Sequence, residues 1–195
     1  PDHPDTVLTS LAYCEEFMKE SSMPFFTVTA DMQLFKIATH IKWSEPERWK
    51  HLLLQPGGMH TLMSFIGCIG KLMKGSGLEE ILASTFSGVR GMLNGKAWTK
   101  AMRGFRMVAA ALLSQYLTAG KNSVEELETE LEMVRSNPTG WLWIDCFLKP
   151  TILIHLFVCA EREGDWLLHM YCLRRMLPSF FASGHWNYAR YICWH

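Results

Sequence analysis

The chain has 195 residues, 49% hydrophobic and 19% charged, which supplies a real core and excludes a disordered segment. Its 19 basic and 19 acidic side chains cancel, so no global field draws it to nucleic acid, membrane or acidic substrates, and such a partner must meet a local patch. The six cysteines (Cys14, Cys68, Cys146, Cys159, Cys172 and Cys193) contain no C-x-x-C pair, sit in apolar runs as small hydrophobes, and fit a reducing compartment.

Apolar spacing predicts a first helix from Thr6 to Glu20, broken by "SSMP". Phe25 to Ala30 is the best strand, because Phe, Thr and Val suit a pleated surface. Met32 to Trp43 has helical period. Ser44 and Glu47, with Pro46 between them, form a capping box that predicts a short helix. "HLLLQ", from His51 to Gln55, is a second strand, and "PGG" then turns the chain.

Everything after His60 reads as helix. Thr61 to Lys74 is apolar, with Gly67 and Gly70 allowing close packing. Leu78 to Leu93 follows, then Ala97 to Thr118. Ser123 and Glu126 cap the acidic "SVEELETELEMVR". Trp141 to Glu163 is apolar and bent or broken at Pro150. Asp165 to Leu177 is amphipathic, with Pro178 as its stop, and a last helix starts at His185. Trp141 to Ala160 is about as long as a bilayer is thick, but Asp145, Lys149 and His155 are costly in lipid, so a buried helix pair and no membrane are expected. The start at Pro1, with no signal segment, and the end inside "YICWH" predict a piece of a longer protein.

Five features carry candidate chemistry, each with a structural alternative. Asp31 ends a strand, where nucleotidyl-transfer enzymes hold Mg²⁺; it would equally cap the helix that follows. His60, in "QPGGMH", would lie near a phosphate or metal, or simply pack at a helix start. In "CAEREGDW", Glu161, Glu163 and Asp165 would join such a metal, or mark where a buried helix emerges into water. Lys96, Lys100, Arg103 and Arg106 recur at i, i+4, i+7 and i+10, flanked by Arg90 and Lys121; such a face suits a phosphate backbone, or is ordinary exposed surface. "GHWNYARY" holds aromatic and polar types that stack bases, form interfaces or edge a core. No phosphate loop, dinucleotide fingerprint, H-E-x-x-H or G-x-S-x-G occurs.

The succession "TADMQLFKIA", "GGMHTLMSFIGCIGKLM", "GLEEILA", "LNGKAWTKAMRGFRM", "FLKP", "AEREGDW" and "FFASGHWNYARY" resembles proteins encoded by mobile-element-like reading frames in animal genomes. More distantly it is similar to hAT-type transposases, whose core is ribonuclease H-like. That resemblance implies Asp31 as a catalytic aspartate, His60 as the histidine after the next strand, and Glu161 or Glu163 as the later glutamate. It puts the first catalytic aspartate upstream of Pro1, and Gly57 or Gly58 where a cysteine is usual.

The expectation is therefore a mostly helical, α-rich α+β chain. Residues 1–74 would be a partial ribonuclease H-like core, 75–138 a helical insertion, and 139–195 the return to core helices. It would be a nuclear, transposase-like protein cutting and joining DNA through Mg²⁺ or Mn²⁺. Asp31 and Glu161 would hold metal, the Lys96–Arg106 stripe would hold DNA, and a homo-oligomer is open. The alternative is a helical interaction module without catalysis, supported by neutral charge and abundant Met and Trp.

Overall fold

The computed structural model describes residues 3–117 and 123–194. Helix makes up 74% of it, beside two parallel strands, so the chain is an α-rich α+β protein. It divides into two compact units, Pro1–Thr61 and Leu62–His195.

In the first unit, α1 (Pro4–Glu20) starts on Pro4, whose missing N–H costs nothing at a helix start, and buries Val7, Leu11 and Met18. Strand β1 (Phe26–Ala30), helix α2 (Met32–Ser44) and strand β2 (Leu52–Pro56) follow. The strands pair in parallel, from Phe26 opposite Leu52 to Ala30 opposite Pro56. Parallel neighbours need a crossover, and α2 supplies it. Val7, Leu11, Ala38, Trp49 and Leu52 form the core, with Phe26, Val28 and Leu34 packed against it.

The short helix expected after Ser44 is absent; residues 46–51 form turns. Ser44 is instead the last residue of α2, and its hydroxyl donates back to the Ile41 carbonyl at 2.8 Å. Tertiary contacts hold the turn. Trp49 is fully buried, the Arg48 guanidinium lies 4.4 Å over its ring, and Lys42 Nζ donates to the Leu52 carbonyl at 2.6 Å.

Helix α3 (Gly58–Leu72) begins in the first unit and continues into the second. The second unit then holds α4 (Leu78–Ala83), α5 (Val89–Leu93), α6 (Trp98–Leu117), α7 (Val124–Arg135) and α8 (Pro138–Trp143). A π-helical turn (Ile144–Leu148) leads into α9 (Lys149–Glu163), followed by α10 (Trp166–Ala182) and α11 (Trp186–Trp194). Thr118 and Lys121 lie outside the described residues. The core carries Phe65, Phe105, Phe147, Phe157 and Phe180, all fully buried. Phe105 meets Phe147 edge-on at 5.4 Å, and Phe180 stacks on Tyr188 at 5.3 Å. Such pairs contribute roughly 0.5–1.5 kcal/mol beyond the area they bury.

Three sequence expectations change here. The single helix over Leu78–Leu93 is two, because Gly88 takes a left-handed conformation, φ 69°, between them. Pro178 does not stop α10, which runs on to Ala182 with Met176 and Phe180 buried on either side of the proline. Burial of that face outweighs one missing N–H near the helix end. Pro150 stands in the first turn of α9, where its missing N–H is harmless, and the irregularity lies just before it as the π turn.

Among the described residues one helical stretch, Pro138–Glu163, is long and apolar enough to cross a membrane by length and composition, with mean hydropathy 1.6 in its most apolar window. Half of that window is buried inside the protein, and Asp145 within the stretch binds Arg135 and Lys149. This is the pattern of a core helix.

Candidate functional site

The parallel β1–α2–β2 arrangement brings two predicted residues to one edge. The backbone bonds from Phe26 N to the His51 carbonyl (3.0 Å) and from Gly57 N to the Ala30 carbonyl (2.7 Å) bracket the pair. Asp31 follows β1 directly, and His60 stands in the first turn of α3, four residues after β2 ends. A Cβ built on Gly57 would lie 3.5 Å from the His60 ring and 3.6 Å from the Ala30 carbonyl oxygen, so the two segments adjoin at the carboxyl ends of the strands. Open α/β sheets present ligand sites at that end.

Asp31 already has a task. Its Oδ1 accepts from the amides of Gln33 and Leu34, each at 2.9 Å, so it is the N-cap of α2. Its carboxylate and the His60 ring are each partly exposed. In β1, Phe26, Val28 and Ala30 turn their amides toward β2, so Thr27 and Thr29 direct theirs outward. Both threonines are exposed, and the outer edge of β1 carries no strand among the described residues.

Glu161, Glu163 and Asp165 lie in the second unit, and each has a local partner. Glu161 Oε1 meets His169 Nδ1 at 2.6 Å; His169 in turn stacks on Trp166, ring centroids 5.3 Å apart. Glu163 Oε1 accepts from the Cys159 thiol at 3.3 Å, and that hydrogen bond, more than burial or the Glu163 charge, pushes the thiol up. Asp165 Oδ1 accepts from Leu168 N at 2.9 Å and caps α10. Among the described residues no group of three or more His, Cys, Asp or Glu side chains gathers to hold a metal ion.

The basic stripe is partly kept. Arg103 and Arg106 project from the outer face of α6, opposite buried Ala101 and Phe105. Lys100 sits on the flank, where its Nζ donates to the Ser87 carbonyl at 2.7 Å. Lys96 precedes the helix, in the turn where its amide donates to Asn94 Oδ1. The "GHWNYARY" segment is divided: Tyr188, Ala189 and Tyr191 are buried, whereas Trp186, Asn187 and Arg190 are exposed. Burial, with the Glu161 charge, pushes the Tyr191 phenol well up.

Spacing did not reveal a buried polar node. Ser183 Oγ lies 2.8 Å from Cys68 Sγ and 2.9 Å from His185 Nδ1; Cys68 and His185 are themselves 3.3 Å apart. Lys71 Nζ donates to the Ser183 carbonyl at 2.6 Å. Cys68 is fully buried and burial pushes its thiol up to about 11, so it is no ready nucleophile. The node instead pins the turn between α10 and α11 onto α3. More than a hundred residues separate its halves, so no local signal announces it.

Taken together these features define a class: an α-rich α+β protein whose parallel β1–β2 pair presents an aspartate and a histidine at its carboxyl edge. The chain belongs to the family described as Domain of unknown function (DUF8702), whose profile matches residues 1–123 and 114–194. Comparison with curated proteins and with solved structures finds no match.

Proposed function

We propose that the chain is a transposase-like segment of mobile-element origin, related to the ribonuclease H-like core, that contributes Asp31 and His60 to a DNA-acting site. The observation that carries this reading is the shared edge: a strand ending in Asp31, a crossover helix, and a parallel strand leading to His60. That order is the one the resemblance to hAT-type transposases implies. Arg103 and Arg106, exposed on one helix face, offer sequence-independent contacts to a phosphate backbone.

The described residues do not make a Mg²⁺ site by themselves. Asp31 Oδ1 is committed to capping, and Glu161 is paired with His169. On this reading a further carboxylate is required, and the open edge of β1 is where a strand bearing it would pair. No metal-dependent step is therefore assigned to these residues.

Manganese broadening of NMR signals tests the site. In the natural full-length protein, Mn²⁺ is expected to broaden the Asp31 amide and His60 ring signals selectively, and Asp31→Asn to abolish this while preserving the fold. Broadening confined to other acidic surfaces would leave Asp31 a cap and sink the reading.

A second reading, the non-catalytic interaction module, has its own observation. Tyr13, Phe17, Met23 and Phe25 are 51–74% exposed around an apolar groove of about 640 Å³ in the first unit. Adaptable Met and aromatic surface of this kind suits protein partners.

A further inference from the structure

Helix α7 is amphipathic, yet none of its twelve residues is buried. Leu127 and Leu131 form one wall of an open groove of about 1430 Å³, and Leu113, Ile144, Leu148 and Ile152 form the other. Small-molecule clefts hold roughly 300–1,000 Å³, so this groove is of a size for a macromolecular element. Its apolar residues recur one helical turn apart on both walls: Leu127 and Leu131 on α7, and Ile144, Leu148 and Ile152 on the π turn and α9. A groove with walls of helical period receives the i, i+3, i+4, i+7 anchors of another helix.

Charge identifies which helix. Glu125, Glu128 and Glu132 also line the groove and run along one stripe of α7, at i, i+3 and i+7. All three are exposed, and none has an ion pair among the described residues. The two cations on the rim, Arg135 and Lys149, are both held by Asp145, at 2.5 and 2.9 Å. Counted with Asp145, four carboxylates face two cations among the described residues, so the groove is net negative, which repels a phosphate backbone and favours cationic side chains.

We infer that the groove between α7 and the π turn–α9 segment docks an amphipathic helix of a partner protein, its apolar stripe inserted and its flanking lysines or arginines facing Glu125, Glu128 and Glu132. This inference does not rest on Asp31 or on any metal.

The test uses three synthetic peptides of about 18 residues, five helical turns. One is a Leu/Lys amphipathic helix, the second its Leu/Glu counterpart, and the third has the Leu/Lys composition scrambled to remove the apolar stripe. Binding to the intact chain is followed by fluorescence anisotropy. The Leu/Lys helix is expected to bind and the other two to bind at least about tenfold more weakly, with affinity falling as salt rises. The triple variant E125Q/E128Q/E132Q changes only exposed side chains, and Leu131→Asp places a charge in the groove wall. Each is expected to weaken the Leu/Lys peptide about tenfold or more at unchanged helix content by circular dichroism. Equal binding of the Leu/Glu or scrambled peptide, or unchanged binding by the triple variant, overturns the proposal.

Discussion

Asp31 Oδ1 stands 2.9 Å from the amide nitrogen of Leu34, and this contact separates two roles of one carboxylate. A cap needs one accepting oxygen, which asparagine also supplies; a metal ligand needs the negative charge. Asp31→Ala should lower stability by about 1 kcal/mol, while Asp31→Asn should stay near the natural chain. Urea unfolding midpoints check this. A harmless alanine would mean that the cap contributes nothing, and Asp31→Asn would no longer be a clean probe of metal binding.

Gly70 marks a close helix approach in the second unit. A methyl group there would run into the backbone carbonyl of Leu93, whereas one on Gly67 would meet the Asn94 carbonyl oxygen at 3.4 Å. Backbone cannot swing away as a side chain does, so Gly70→Ala should cost about 1–3 kcal/mol, the usual toll of overpacking. Gly67→Ala should cost less. Thermal melts showing the reverse order would contradict the α3–α5 packing.

Asp145 should control part of the acid limb of stability. Burial alone would raise its carboxyl, but hydrogen bonds from Lys149 and Arg135, together with their charges, outweigh burial and hold it below the ordinary range. A carboxyl depressed by folding adds stability above its unfolded value, about 3.9, and that stability is lost as pH falls through the lower folded value. Asp145→Asn should be less stable than the natural chain at neutral pH and lose less on acidification below about pH 4. Parallel acid-unfolding curves would show that the pair with Arg135 contributes nothing.

His155 and His185 act at higher pH. Burial lowers both, and nearby cations, Arg106 and Lys71 respectively, add to it. The unfolded chain then binds protons more readily than the folded one, so stability should fall as pH drops below about 6.5 and level off beneath the folded values. His155→Gln should reduce this slope, as read from urea midpoints between about pH 7 and 5. An unchanged slope would assign the effect elsewhere.

The cysteines should divide by burial. Cys193 is exposed, whereas Cys68, Cys146 and Cys172 are buried with their thiols pushed up by burial, Cys68 and Cys172 to about 11. A maleimide at neutral pH should label Cys193 first and reach Cys68 only when the chain unfolds. Mass spectrometry of partly labelled protein reads the order. Early labelling of Cys68 would mean that the Ser183–His185 node opens in the native state.

Much of this architecture was legible in the residues. Both strands were found within one residue of their ends, because Phe-Thr-Val and Leu-Leu-Leu runs bounded by turns have few other uses. Ser123 does cap α7, accepting from Glu126 N at 3.2 Å as its spacing predicts. The same logic misled at Ser44 and Glu47, where a fitting motif lost to the packing of Trp49. It also misled at Pro178, where burial of Phe180 carries the helix past a nominal stop. For the candidate site, Asp31 and His60 were each picked out from local pattern, but their adjacency depends on the parallel pairing of β1 and β2.

By itself, then, the sequence determined the helical class, the two strands and the Ser123 cap of α7. Each of these depends on interactions within a few residues, and local spacing records such interactions. The tertiary structure alone decided that Gly70 faces the Leu93 backbone, that Ser183 sits between Cys68 and His185, and that α7 leaves an acidic, apolar groove uncovered. These relations join residues far apart along the chain, where burial and close packing of whole elements set the partners and no local pattern encodes them.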